Sequence, residues 1–173
     1  MSYMTRSAGL SLLLPLLLTA PPLQAGPERV GDPGDYRQHF TQYFSGNRTA
    51  NAKQVIRIFA NATAIEGKQR DGKLPYGSVI VGELYSVQTD AGGVAINSHL
   101  GQRIPDQLSA IVVMERGKGF DAGYPEALTT GDWEFAVFSP AGERLDKDVT
   151  ACRGCHHPLE NQEFLFSYQH LGH

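Results

Sequence analysis

The chain is predicted to fold as a mainly β (α+β) domain, an antiparallel sheet with a short N-terminal helix and a C-terminal helix bearing a cysteine pair. Three observations lead there. β-Branched and aromatic runs fill the middle of the chain, Gly-, Pro- and Asp-containing turns separate them, and helical spacing shows mainly toward the ends.

The first 25 residues read as a secretory signal peptide. Arg6 supplies a positive start, Ala8 to Leu18 is apolar apart from Gly9, Ser11 and Pro15, and Thr19, Ala20 and Ala25 are small enough for cleavage. That apolar stretch is too short for a membrane span. Residues 26–34 are rich in Pro and Gly and read as a flexible leader; residues 35–173 read as one domain.

Within the domain, Asp35 is placed to cap a helix running through Tyr36, Phe40 and Phe44, aromatic residues four apart on one face. Gln54–Asn61 has strand composition, and Ala62–Glu66 fits one helical turn. Ser78–Thr89 is the strongest strand and contains Gly82. A glycine there has nothing to pack and often marks close approach by a ligand or another backbone. Gly92-Gly93 is predicted to turn the chain into a hairpin with Val94–His99, and Leu108–Arg116 and Trp133–Ser139 add two strands. Arg144–His156 reads as a helix that stops before Pro158.

The formal net charge is −3, and Lys and Arg are scattered, so no basic face for nucleic acid is expected. The chemistry concentrates in Cys152-Arg153-Gly154-Cys155-His156, a C-x-x-C-H signature of c-type haem attachment. Two thiols one helical turn apart can reach the vinyl groups along one porphyrin edge, and the following imidazole can stand beneath the iron. A redox dithiol, a short-loop disulfide and half of a zinc site are the alternatives for such a pair. The first would sit near the start of a parallel βαβ unit, and the last lacks a second cysteine pair. Covalent haem attachment also agrees with export, and the expected compartment is the bacterial periplasm.

In order along the chain, Asp35-Tyr36-Arg37, Ile58-Phe59-Ala60-Asn61, Gly77-Ser78-Val79-Ile80-Val81 with Glu83-Leu84, Trp133-Glu134-Phe135, the haem motif, and Phe164-Leu165-Phe166-Ser167-Tyr168 resemble the cytochrome P-460 family. The resemblance implies a homodimer of antiparallel sheets, one haem c per subunit on Cys152 and Cys155, and His156 as the axial iron ligand. It also implies a distal pocket at Ile80, Gly82, Leu84 and Ala110. The P-460 enzymes of the family oxidise hydroxylamine with a lysine crosslinked to the porphyrin; relatives resembling cytochrome c′-beta lack the crosslink and bind nitric oxide or carbon monoxide. By this likeness Gly82 occupies the lysine position, Lys73 does not match it, Ala110 replaces a distal carboxylate, and Arg57 is one residue out of register.

With Ile80, Gly82 and Leu84 on one strand and Leu108, Ala110 and Val112 on the next, the pocket is expected to be apolar and without a base. That suits a small neutral gas such as nitric oxide at a five-coordinate haem. Conversion of hydroxylamine or nitric oxide is the alternative, and electron transfer with a redox partner a third. An electron carrier would take a sixth ligand from Met114, His99, His39 or His157, each better explained by packing or solvent. Phe44, Phe59 and Phe135 are candidate aromatic caps.

Overall fold

The computed structural model describes residues 26–173, so the signal-peptide reading of residues 1–25 lies outside the described residues. Six antiparallel strands form one sheet in chain order: β1 (Thr41–Asn47), β2 (Gln54–Ala60), β3 (Val79–Val87), β4 (Pro105–Arg116), β5 (Trp133–Phe138) and β6 (Arg144–Leu145). Three helices accompany them: α1 (Tyr36–His39), α2 (Ala62–Asp71) and α3 (Thr150–His156). The predicted class holds.

Alternation along the strands builds two separate cores. On one face Ile58, Ala60, Ile80, Met114, Trp133 and Phe135 pack with Ala64 and Leu74 and with the C-terminal Val149, Leu165 and Leu171. On the other, Phe59, Val81, Ile111, Val113, Ala136 and Phe138 pack with Val30 and Tyr36. The first face is packed in part by α2, Leu74 and C-terminal chain, the second by N-terminal chain.

Four expectations change. The aromatic spacing Tyr36, Phe40, Phe44 does not make one helix: α1 ends at His39, and Phe44 lies in β1 paired with Ile58. A strand needs only alternation, and a bulge between Gln42 and Phe44 adjusts the register, so spacing by four did not discriminate. Val94–His99 is not a ladder strand; it contributes only isolated bridges, Thr89 with Ala95 and Asn97 with Arg103. Arg144–His156 is not one helix, because Arg144 and Leu145 pair with β5 and helix begins at Thr150. The expected leader packs rather than hanging free. Val30 is 1% exposed, and the Arg144 guanidinium donates to the Pro27 and Val30 carbonyls.

The turn expected at Ala62–Glu66 extends to Asp71 because both ends are capped. Asn61 Oδ1 accepts the Ala64 N–H at 3.1 Å, and Gly72 closes the helix in the left-handed region at φ 73°. Asn61 also ties the helix to β3, accepting from the Val79 N–H and donating to the Gly77 carbonyl.

Beneath the second core lies a buried carboxylate. Glu83 is 1% exposed and accepts from Tyr36 Oη at 2.6 Å, from Tyr85 Oη at 2.8 Å and from Arg37 Nε. Burial alone raises its pKa, but the three donors outweigh it and hold the carboxyl below its ordinary value. Its stabilising share is therefore present above the ordinary carboxylate range and is lost as pH falls through the lowered value. Glu83→Gln is expected to be less stable than the parent near neutral pH, with the gap narrowing in acid. Urea midpoints at pH 7 and pH 3 check it, and a gap that does not narrow counts against this account.

Candidate functional site

Helix α3 sets the cysteine pair beside the first core. Asp148 Oδ1 accepts the Thr150 N–H at 2.8 Å and so starts the helix. Cys152 is half-buried against the core, Cys155 is exposed, and both are free thiols. Burial pushes the Cys152 thiol up, with Arg48 opposing, which is the reverse of a reactive dithiol. Among the described residues no three His, Cys, Asp or Glu side chains gather as a closed zinc site would need.

His156 is oriented as a metal-binding imidazole would be. Its Nδ1 lies 2.6 Å from the Phe164 carbonyl, which accepts the Nδ1 proton, and among the described residues Nε2 has no hydrogen-bond partner. The ring sits edge-on between Phe135 at 5.1 Å and Phe166 at 5.0 Å. Burial lowers its pKa, the Phe164 bond opposing, so the ring is neutral at neutral pH. A carbonyl on Nδ1 fixes the tautomer and makes Nε2 the better donor atom.

That carbonyl is held by unusual backbone. Glu163 (φ 50°) and Phe164 (φ 63°) are consecutive non-glycine residues in the left-handed region. Each such residue costs roughly 1–3 kcal/mol and persists only where its surroundings demand it. The Phe164 ring lies over Gly131, where a methyl group would come within 2.4 Å of it.

Arg153, the second residue of the motif, anchors α3. It is wholly buried, and β6 pairs only with Val137 and Phe138, leaving the outer edge of Trp133–Ala136 without a strand partner. The guanidinium meets Glu134 at 3.0 Å and Asp121 at 2.8 Å, donates to Thr130 Oγ1 and the Leu128 carbonyl, and stacks 3.4 Å from the Tyr124 ring centre. Burial disfavours its charge, but the bonds to Glu134 and Asp121 more than compensate, and its pKa is raised. Asp121 in turn accepts the N–H groups of Thr130 and Asp132, so the β4–β5 loop is locked to the motif.

The first core face continues past this anchor as an apolar shelf. Cross-strand register sets Ile58, Gly82, Val112 and Val137 in one row, and Ile56, Leu84 and Ala110 in the next. Ile56, Ala110, Val112 and Val137 are only half-buried. Ile80, Gly82, Leu84 and Ala110 thus share one face, with Ile80 in the deeper row beside Met114. Val112 and Ile56 close over Gly82: a methyl group there would stand 2.8 Å from Val112 Cγ2 and 3.4 Å from Ile56 Cδ1.

Leu108 does not join them. Leu84 pairs with Ala110 but Tyr85 with Leu108, so a bulge at Ser109 turns Leu108 to the opposite face. Phe59 is also on that face, edge-on to Tyr36 at 5.3 Å, and is no cap for the shelf. Arg57 points the same way, stacking 4.7 Å from the Tyr85 ring centre. Phe44 and Phe135 remain on the shelf side, Phe135 against His156.

The candidate sixth ligands are engaged elsewhere or, for His99, exposed on the surface. Met114 is buried in the first core, His157 Nδ1 lies 2.7 Å from the Thr129 carbonyl, His39 meets Asp35 at 3.1 Å on the surface, and His99 is exposed. Reading the sequence missed Arg153 and its partners Glu134 and Asp121. The available signal was Glu134 inside an otherwise apolar strand, a charge that needs a partner when buried. The residues fit a haem: two thiols one turn apart, a neutral imidazole with an Nε2 that has no partner among the described residues, and a half-buried apolar shelf on the same face of the sheet.

Arg153→Ala should destabilise the domain by about 3–5 kcal/mol, because Glu134 is left charged and unpaired in the interior. Arg153→Met with Glu134→Gln should recover part of that loss. Chemical unfolding of the two variants tests this, and equal losses would argue that the charge pairing is not the cause.

Comparison with known proteins follows the same lines. No curated protein matches the chain. The family model described as Cytochrome P460 matches residues 33–167, from just before α1 to past the motif and the Phe164 turn. That family implies a haem cofactor and a protein of c-type cytochrome character. The chain belongs to the cytochrome P460 family.

Proposed function

We propose that this is an exported, periplasmic protein with a single covalent haem c that binds a small gas, nitric oxide foremost, at a five-coordinate iron. Cys152 and Cys155 form the thioethers, and His156 provides the axial nitrogen through Nε2. When bound, the haem supplies an iron with one open coordination position.

The observation that carries this reading is the shelf. Ile56, Gly82, Leu84, Ala110, Val112 and Val137 offer neither a general base nor a proton donor. The buried carboxylate nearest in sequence, Glu83, faces the other core and is saturated by three donors. Oxidising hydroxylamine requires proton removal from the bound nitrogen by a base within hydrogen-bond reach. A neutral diatomic needs none. An apolar surface also discourages water from becoming the sixth ligand, because water there would lose its hydrogen bonds.

Burial keeps His156 neutral and the Phe164 carbonyl holds it in one tautomer, so this chain's contribution on the axial side is a fixed, basic nitrogen. The protein acts as a homodimer, a reading supported by the family likeness and by Val94, Ile96 and Leu100 exposed on the β3–β4 excursion. The second reading is turnover of hydroxylamine or nitric oxide without a crosslink. It draws support from the family alone, since a lysine at the Gly82 position would have to displace Val112 and Ile56.

Haem should stay with the parent polypeptide on a denaturing gel and resist acid-acetone extraction. Cys152→Ala with Cys155→Ala should release it. Pigment that extracts from the parent would refute covalent attachment.

The reduced protein should be high-spin and shift its spectrum with carbon monoxide or nitric oxide. Low-spin iron in both oxidation states would mean a sixth protein ligand and an electron carrier. Steady oxidation of hydroxylamine with an acceptor dye would replace gas binding by catalysis.

A further inference from the structure

The Arg116–Glu163 ion pair lies at the end of β4, beyond Met114 and away from the shelf rows at Ala110 and Val112, and the haem reading assigns it no role. Arg116 closes β4, and its Nη1 meets Glu163 Oε2 at 2.6 Å with both side chains largely buried. The same guanidinium donates through Nε to the Gly131 carbonyl at 2.9 Å and through Nη1 to the Leu74 carbonyl. Glu163 Oε2 also accepts the Leu74 N–H at 3.2 Å, and Lys73 Nζ stands 3.7 Å from Oε1. Four segments therefore converge on this ion pair: the end of β4, the α2–β3 loop, the loop before β5, and the turn after the motif.

Glu163 is the first of the two left-handed residues, and the next residue presents the carbonyl that takes the Nδ1 proton of His156. The Glu163 and Phe164 N–H groups reach the Glu160 and Leu159 carbonyls, a bond pair that closes a helix on a left-handed residue and accounts for Glu163 but not for Phe164. The side-chain pair and Gly131 beneath the Phe164 ring hold it against the sheet.

We propose that Arg116 and Glu163 are positioning residues for the axial ligand: by pinning the Glu163-Phe164 turn, they set the strength of the carbonyl bond to His156 and thereby the donor power of Nε2 toward iron. This rests on the haem reading above. A stronger Nδ1 bond makes an imidazole more basic, strengthens its bond to the metal and favours the ferric state. The pair thus tunes the iron from outside the pocket without touching haem or gas.

The holoprotein tests it through resonance Raman of the ferrous iron–histidine stretch and through the reduction potential. Glu163→Gly removes the pair while making the left-handed conformation easier, so strain is not added. Arg116→Gln removes the other partner. Both should move the stretching band to lower wavenumber and the potential to a more positive value. Glu160→Gln, exposed in the same turn, should move neither. If either variant fails to load haem, Glu163→Gln keeps the side-chain volume and should give a smaller shift of the same sign. Band and potential unchanged in Glu163→Gly, or moved only in Arg116→Gln, overturn the proposal. A parent protein without haem would instead sink the function proposed above.

Discussion

A fully buried arginine inside the haem motif is the constraint around which this site is organised. Burying a guanidinium is costly unless its charge is met, and the two Arg153 terminal nitrogens meet Glu134, Asp121, Thr130 and Leu128 together, with Nε alone lacking a partner among the described residues. The consequence is positional. A seven-residue helix has little intrinsic stability, so α3 is held where β5 and the β4–β5 loop hold its arginine. Cys152, Cys155 and His156 inherit that placement from one side chain between them.

The axial side follows from the same economy of fixed groups. His156 is neutral because it is buried, is one tautomer because Phe164 accepts from Nδ1, and keeps its orientation because Phe135 and Phe166 bracket the ring. The accepting carbonyl lies on strained backbone, and the strain is confined by Gly131 below and the Arg116–Glu163 pair beside it. Those supports add to the N–H bonds from Glu163 and Phe164 to the Glu160 and Leu159 carbonyls that close the turn.

The sheet separates polar from apolar chemistry across its thickness. Neighbouring residues of β3 point to opposite faces, so Gly82 belongs to the apolar shelf while Glu83 belongs to a saturated tyrosine and arginine cluster. One step of register would exchange them and place a carboxylate against the shelf. The bulge at Ser109 acts likewise on β4, keeping Ala110 on the shelf and sending Leu108 away.

The sequence by itself determined the fold class, four of the six strands, the haem motif and the apolar character of Ile80, Gly82, Leu84 and Ala110. Alternation and the C-x-x-C-H spacing are local signals, and local signals survive in one dimension. It misread Phe44, because β1 begins after Phe40 and a bulge between Gln42 and Phe44 sends that ring to the first core while Tyr36 and Phe40 pack in the second, an offset that spacing by four does not carry. It misread Arg144–His156, because a two-residue edge strand has no periodicity to detect. Only the tertiary structure decided that Arg153 is a buried anchor, that Leu108 leaves the pocket, and that Phe164 carries the carbonyl of His156. Arg153 meets Asp121 and Glu134 from 32 and 19 positions away, and no pattern within one element encodes a partner at that distance.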